Sequence, residues 1–133
     1  MNSFSSASGE SPEDSLATQL DPRFLRGLDL FNQGEWYAAH DVLEELWHET
    51  SGPERRLLQG LIQVSVAQVH LQNGNQRGAT ILFGEGLGRI SGRDVPDLGL
   101  DLERFRHLVA ERLRALQAGE NPDLTLPPLR LLS

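Results

Sequence analysis

The chain has 133 residues, with 19 acidic side chains against 12 basic ones, and every basic residue is arginine. That length suits a single domain able to bury its own core, and the absence of cysteine excludes disulfides, thiolate zinc sites and cysteine nucleophiles. A formal net charge of −7 argues against general nucleic-acid binding, which needs clustered cations, and without lysine there is no Schiff-base chemistry and no P-loop.

Residues 1–20 are rich in serine and acid and poor in large apolar groups, so the composition predicts a disordered tail. The segment has neither the basic n-region nor the apolar h-region of a secretory signal, and a cytoplasmic protein is expected. Five helices are predicted after it. The first spans about residues 22–32, with Asp21 as N-cap and Pro22 at the first helical position; Gln33-Gly34 ends it. The second spans about 35–50. At 100° per residue, Trp36, Ala39, Val42, Leu43, Leu46 and Trp47 share one broad face, and Asp41, Glu45, His48 and Glu49 lie opposite.

The third helix spans about 53–73, opening at Pro53. Residues 57–76 carry no formal charge, but the glutamines, asparagines and histidine among them make the stretch too polar for lipid. No membrane association is expected. Apolar residues appear on nearly every side, which predicts a central helix. Asn73-Gly74-Asn75 reads as a tight turn into a fourth helix, about 76–90. Gly78, Gly84, Gly86 and Gly88 weaken that helix by about 1 kcal/mol each relative to alanine, so it is predicted to be the least stable, or to fray after Phe83. A loop covers 91–99, and the fifth helix spans about 100–118. The C-terminal residues 121–133 hold three prolines among leucines. They read as an extended strap along the bundle. The expected fold is therefore all-α, with a tail at 1–20, a five-helix domain at 21–120 and a strap at 121–133.

Two polar groupings stand out. His40 and Glu44 lie four residues apart on one helix face, beside Trp36 and Trp47. They could form a partly dry acid/base pair, two metal ligands, or a mutually satisfied core pair. On the third helix Gln59, Gln63 and His70 fall within about 40° of one another. Buried amides need partners, so these either bond to each other and to His40 and Glu44, or line a small polar pocket. Glu45-x-x-His48 has the spacing of di-iron bundles, but no second copy exists and both residues sit on the polar face. Gly84-Glu85-Gly86-Leu87-Gly88 lacks the strand and spacing of a phosphate-binding loop. Arg55 and Arg56, at the start of the third helix, are expected to be held by acids of the second, such as Glu49.

Charge is uneven: residues 1–50 sum to −8 and the remainder to +1. Much of this excess dresses helix surfaces, and the exclusive use of arginine reads as a compositional habit of the genome.

The pattern Phe31-Asn32-x-Gly34-x-x-Tyr37-x-x-His40-x-x-x-Glu44-x-x-Trp47, followed by Leu58-Gln59-Gly60-Leu61-Ile62-Gln63, His70, Gly74-Asn75 and Gly78-Ala79, resembles the domain-of-unknown-function family 309. The resemblance runs from about Phe24 to Ile90. It implies a small all-helical domain of bacteria, archaea and the plastid lineage, and it implies no reaction. Its motif positions here are His40, Glu44, Trp47, Gln59, Gln63 and His70. The glycines at 84, 86 and 88 depart from it.

Three readings follow. The first is a binding module for a small molecule or a protein, with Trp36, His40, Glu44, Trp47, Gln59, Gln63 and His70 around its pocket. The second is a hydrolase-like enzyme with a divalent metal on His40, Glu44 and His70. The third is a structural partner protein that associates through apolar helix faces.

Overall fold

α4 (Pro53–Gln72) is the helix around which the others are arranged. It is flanked by α3 (Trp36–His48) and α5 (Gln76–Ile90); α2 (Pro22–Asn32) packs on α3, α6 (Leu102–Gln117) on α5, and α1 (Pro12–Leu20) on α2. The computed structural model describes residues 12–120, and every regular element among them is an α-helix.

The central position of α4 follows from its composition. Leu57, Leu58, Leu61, Val64, Ala67 and Leu71 are buried, together with Ser65 and Gln68, so most of its circumference is covered. The Ser65 hydroxyl donates to the Leu61 carbonyl at 2.9 Å and so needs no partner from another helix. Phe31 closes the far side of the bundle. Its ring meets Trp36 edge-on at 4.8 Å and Phe105 at 5.6 Å, which joins α2, α3 and α6. Each such fully buried ring contributes about 2–3 kcal/mol of transfer free energy. Among the described residues, no helix is long and apolar enough to cross a membrane.

Capping chemistry sets the boundaries. The Asp21 side chain accepts from the Arg23 amide at 2.8 Å, with Pro22 at the first helical position, as the sequence predicts. The α2–α3 and α4–α5 turns share one design. Gly34 and Gly74 have φ near +80°, a conformation that suits glycine. The following amides reach back to close each helix, Glu35 N–H to Leu30 at 2.9 Å and Asn75 N–H to His70 at 2.8 Å. α6 is capped by Asp101, which accepts from the Arg104 amide at 3.2 Å.

Three expectations need correction. First, the chain has six helices, because residues 12–20 form α1 rather than disordered tail. Pro12 opens it and two acids follow in its first turn, a favourable start for a helix. Leu16 and Leu20 remain more than half exposed, so apolar burial is not what holds α1. A polar tie does: the Ser15 hydroxyl donates to Glu54 Oε2 on α4. The rest of the predicted tail, 1–11, and the predicted strap, 121–133, lie outside the described residues.

Second, α5 spans Gln76–Ile90, the predicted bounds, and does not fray after Phe83 as the glycines suggested it would. The reason lies in one of its glycines. A Cβ on Gly86 would stand 2.9 Å from Val64 Cγ2 and 3.0 Å from the Gly60 carbonyl oxygen. A Cβ on Gly60 would stand 2.5 Å from Ile90 Cγ2 and 3.1 Å from the Gly86 carbonyl oxygen. The two helices therefore cross backbone against backbone, and the packing this permits offsets the poor helix propensity of glycine. Third, α6 begins at Leu102 rather than near residue 100, and the preceding Leu98 and Leu100 are buried in the core.

The glycines of α5 should therefore separate on substitution. Gly86→Ala is expected to destabilise the fold by about 1–3 kcal/mol, the usual cost of overpacking. A methyl group at Gly88 would have nothing within 4 Å, so Gly88→Ala should stabilise by up to about 1 kcal/mol. Chemical denaturation of the two variants measures both, and equal effects would remove the backbone-crossing explanation.

Candidate functional site

α3 presents its apolar stripe, Trp36, Ala39, Leu43 and Leu46, to the core. The residues one step around the helix lie at the edge of that stripe. His40 is half-buried, its side chain 19% exposed. Its Nε2 lies 3.9 Å from Glu44 Oε1 and its Nδ1 3.5 Å from Asp41 Oδ1, both too long or poorly aligned for a good hydrogen bond. The ring is tilted against Tyr37, centroids 5.5 Å apart, and Tyr37 itself is 65% exposed. Two turns further along, Trp47 is half-buried, with the Arg55 guanidinium 4.0 Å above its ring and His48 5.0 Å away. His40 Nδ1 and Trp47 Nε1 are both buried without a hydrogen-bond partner.

The polar line on α4 is divided. Gln63 faces α5: its Oε1 accepts from Arg89 Nε at 2.9 Å, and its Nε2 donates to Glu85 Oε1 at 3.1 Å. Arg89 is donor-only, which fixes the orientation of the amide. His70 belongs to the α4–α5 turn. The Gly78 amide donates to Asn75 Oδ1 at 2.9 Å, so the Asn75 amide nitrogen is left to donate to His70 Nδ1 at 3.2 Å. That arrangement requires His70 Nδ1 to be unprotonated. Gln59 is half-buried on α4. The structure thus gathers Trp36, His40, Glu44 and Trp47 on α3, while Gln63 and His70 are bonded to partners on and before α5. Among the described residues, no group of three or more histidines, aspartates and glutamates could hold a metal ion, so His40, Glu44 and His70 do not converge as a metal triad.

Other polar residues matter more than the sequence suggested. Arg23 is the hub of the α2–α3 corner. Its guanidinium donates to both oxygens of Glu49 at 2.9 and 3.0 Å, and to Asp21 at 3.0 and 3.1 Å; Glu45 lies 3.7 Å away. Glu49 is therefore not held by Arg55 or Arg56, as expected, but by Arg23. Arg55 stacks on Trp47 instead, and Arg56 donates to the Arg89 carbonyl at 3.3 Å. The Arg23 hydrogen bonds hold the carboxyls of Asp21 and Glu49 below their ordinary values and raise the guanidinium further. Deep in the bundle, Arg112 Nη1 donates to Gln68 Oε1 at 3.0 Å. The spacing of Phe105, Val109, Arg112 and Leu116 places Arg112 in the buried stripe of α6, which was the available signal. Glu54 is 1% exposed; one residue after Pro53, it reads in sequence as an ordinary first-turn acid.

The comparisons bear on this α2–α5 region. Residues 24–82 match the family model of a domain of unknown function, DUF309. The motif positions from Phe31 to Ala79 all lie inside that match. An uncharacterised protein of Aquifex aeolicus (strain VF5) is 28% identical over 97 residues, which cover 71% of this chain. The chain spans only 28% of the length of that relative. No solved structure matches this chain.

The Arg23 hub makes stability depend on pH in a definite direction. Asp21 and Glu49 titrate lower in the folded chain than in the unfolded one. Their contribution is therefore complete above the unfolded carboxylate range, near pH 4, and is lost as pH falls through the folded values. Arg23→Gln should lower the melting temperature at pH 7. The gap to the parent chain should narrow below about pH 3 and in about 1 M salt, because the corner is solvent-accessible. A gap that is constant from neutral to acid pH would show that Arg23 acts through packing alone.

Proposed function

We propose that this chain is a binding module, and that its docking surface is the outer edge of α3, formed by Tyr37, His40, Glu44 and Trp47 with Arg55 from α4. One observation carries the reading. His40 Nδ1 and Trp47 Nε1, two turns apart on the same helix edge, are both withdrawn from water without a partner. Their separation of seven residues corresponds to about 10.5 Å along the axis. An unsatisfied buried polar atom costs about 1–3 kcal/mol, and a partner that supplies the missing hydrogen bonds offsets that cost.

The chemistry of the edge describes the partner. Trp47 Nε1–H is only a donor, so it needs an acceptor. His40 Nδ1 can donate or accept a hydrogen bond, depending on the tautomer. Glu44 offers acceptors, and the exposed Tyr37 offers a flat amphipathic ring of the kind enriched at interfaces. Docking on this edge requires each half-buried ring to turn so that its nitrogen meets the partner. A polypeptide that presents backbone carbonyl and amide groups fits this set. The match of the family model to residues 24–82 is consistent with a shared surface on α3.

A photo-crosslinking side chain at position 37 tests the reading, with a second at the exposed Glu111 of α6 as the control. In cells that produce the chain, discrete protein adducts are expected from position 37 and not from position 111, and His40→Ala should abolish them without lowering the melting temperature by more than a few degrees. The same adducts from both positions would sink the docking surface. A large loss of melting temperature in His40→Ala, with the adducts unchanged, would make His40 a structural residue instead.

A further inference from the structure

A second site lies at the C-terminal end of α3, and none of the docking-edge residues lines it. A cavity of about 310 Å³ opens where α1, the start of α2, the end of α3 and the start of α4 meet. Asp14, Thr18, Asp21, Arg23, Glu49 and Glu54 are among its lining residues. Four carboxylates thus surround one guanidinium. Arg23 is already engaged by Asp21 and Glu49. Among the described residues, no cation is paired with Asp14 or Glu54.

Glu54 is the informative residue. It is 1% exposed, yet only one of its oxygens is satisfied: Oε2 accepts from the Ser15 hydroxyl, while Oε1 is buried with no hydrogen-bond partner. A carboxylate in the first turn of a helix is electrostatically favourable, which accounts for an acid at this position. It does not supply the donor that Oε1 lacks. A buried carboxylate is retained at tolerable cost only when paired and hydrogen-bonded. A ligand with positive charge and N–H donors would supply both the missing hydrogen bond and the missing counter-charge.

The geometry also limits its size. The carboxylates are not grouped closely enough to hold a metal ion, since no set of three or more acids or histidines among the described residues does so. The cavity volume is at the lower end of the range for small-molecule sites, roughly 300–1,000 Å³. A primary ammonium donates three hydrogen bonds from one compact charge, and charge-assisted bonds to carboxylates are the stronger kind. Asp14, a second carboxylate lining the cavity, gives a ligand with two positive charges a second place to bind.

We propose that this cavity is a binding site for a small aliphatic diamine in its diammonium form. One ammonium donates to Glu54 Oε1 at the buried end, and the other lies near Asp14 at the mouth. Because Ser15 and Asp14 both belong to α1, the ligand also fastens α1 to the bundle.

Titration calorimetry of the full chain with 1,4-diaminobutane tests the proposal, with tetramethylammonium at matched ionic strength as a cation that has no N–H. Saturable one-to-one binding of the diamine and none of tetramethylammonium is expected. Glu54→Gln keeps the shape and the Ser15 contact but removes the charge, and should weaken binding by at least about tenfold. Asp14 is exposed, so Asp14→Asn should fold normally and weaken binding several-fold even if Glu54→Gln proves unstable. The proposal is overturned by no binding heat, by equal binding of tetramethylammonium, or by undiminished affinity in Asp14→Asn.

Discussion

The close approach of Gly60 on α4 to Gly86 on α5 fixes much of what surrounds it. Neither residue has space for a methyl group without displacing Ile90, Val64 or backbone oxygen. With the helices held at that distance, Gln63 comes within reach of both Glu85 and Arg89. Arg56 reaches the last turn of α5 through the Arg89 carbonyl. The turn at one end of the pair is then tied by His70 and Asn75. An apolar ridge alone would allow the helices to slide; these polar bonds have partners in one register only. Packing sets the separation, and hydrogen bonds set the register.

The opposite side of α4 is organised differently. α3 packs on it and α2 packs on α3, with Phe31, Trp36, Leu43 and Leu46 all buried, and the corner that α2 and α3 share with α1 is held by charge. Arg23 spans from the cap of α2 to the end of α3. α1 adds little apolar burial and is tied through Ser15 and Glu54. The bundle thus grades from a tightly packed α4–α5 pair to a polar, solvent-accessible corner. Elements with few buried apolar contacts open at lower free energy than a packed core, so α1 is the element whose position a ligand can most readily stabilise.

Much of the fold was legible because it rests on local signals. The Asp21-Pro22 start, the Gly34 and Gly74 turns and the Asp101 cap act within a few residues, and each appears where the sequence places it. The apolar residues on nearly every side of α4 correctly implied a central helix. What the sequence hid was pairing. Periodicity put Gln63 and His70 on one line, but it could not show that α5 and Asn75 supply their partners. It counted the cost of Gly86 as a helix residue without the gain of a backbone crossing, because that gain exists only when Gly60 lies opposite. It likewise placed Glu49 near Arg55, when Arg23, 26 residues earlier, takes it with both nitrogens. The missed α1 is a milder failure, since a proline followed by acids was a readable start.

The distribution of satisfied and unsatisfied polar atoms also explains why α3, and not the glutamine line of α4, is the better place to look for binding. Gln63, His70, Ser65 and Thr50 each have a partner within the fold, so their hydrogen-bonding capacity is already used for register and turns. A ligand that engaged them would first have to break those bonds, and the net gain would be small. His40 Nδ1, Trp47 Nε1 and Glu54 Oε1 are the reverse: their cost of burial is present in the folded chain and uncompensated there. Binding to such atoms recovers free energy without disrupting the fold. The first two lie along α3 and Glu54 lines the cavity that the end of α3 helps to form, whereas a fourth such atom among the described residues, Gln68 Nε2, lies in the core on a side chain already bonded to Arg112; three of these four incomplete polar groups therefore lie on or beside α3.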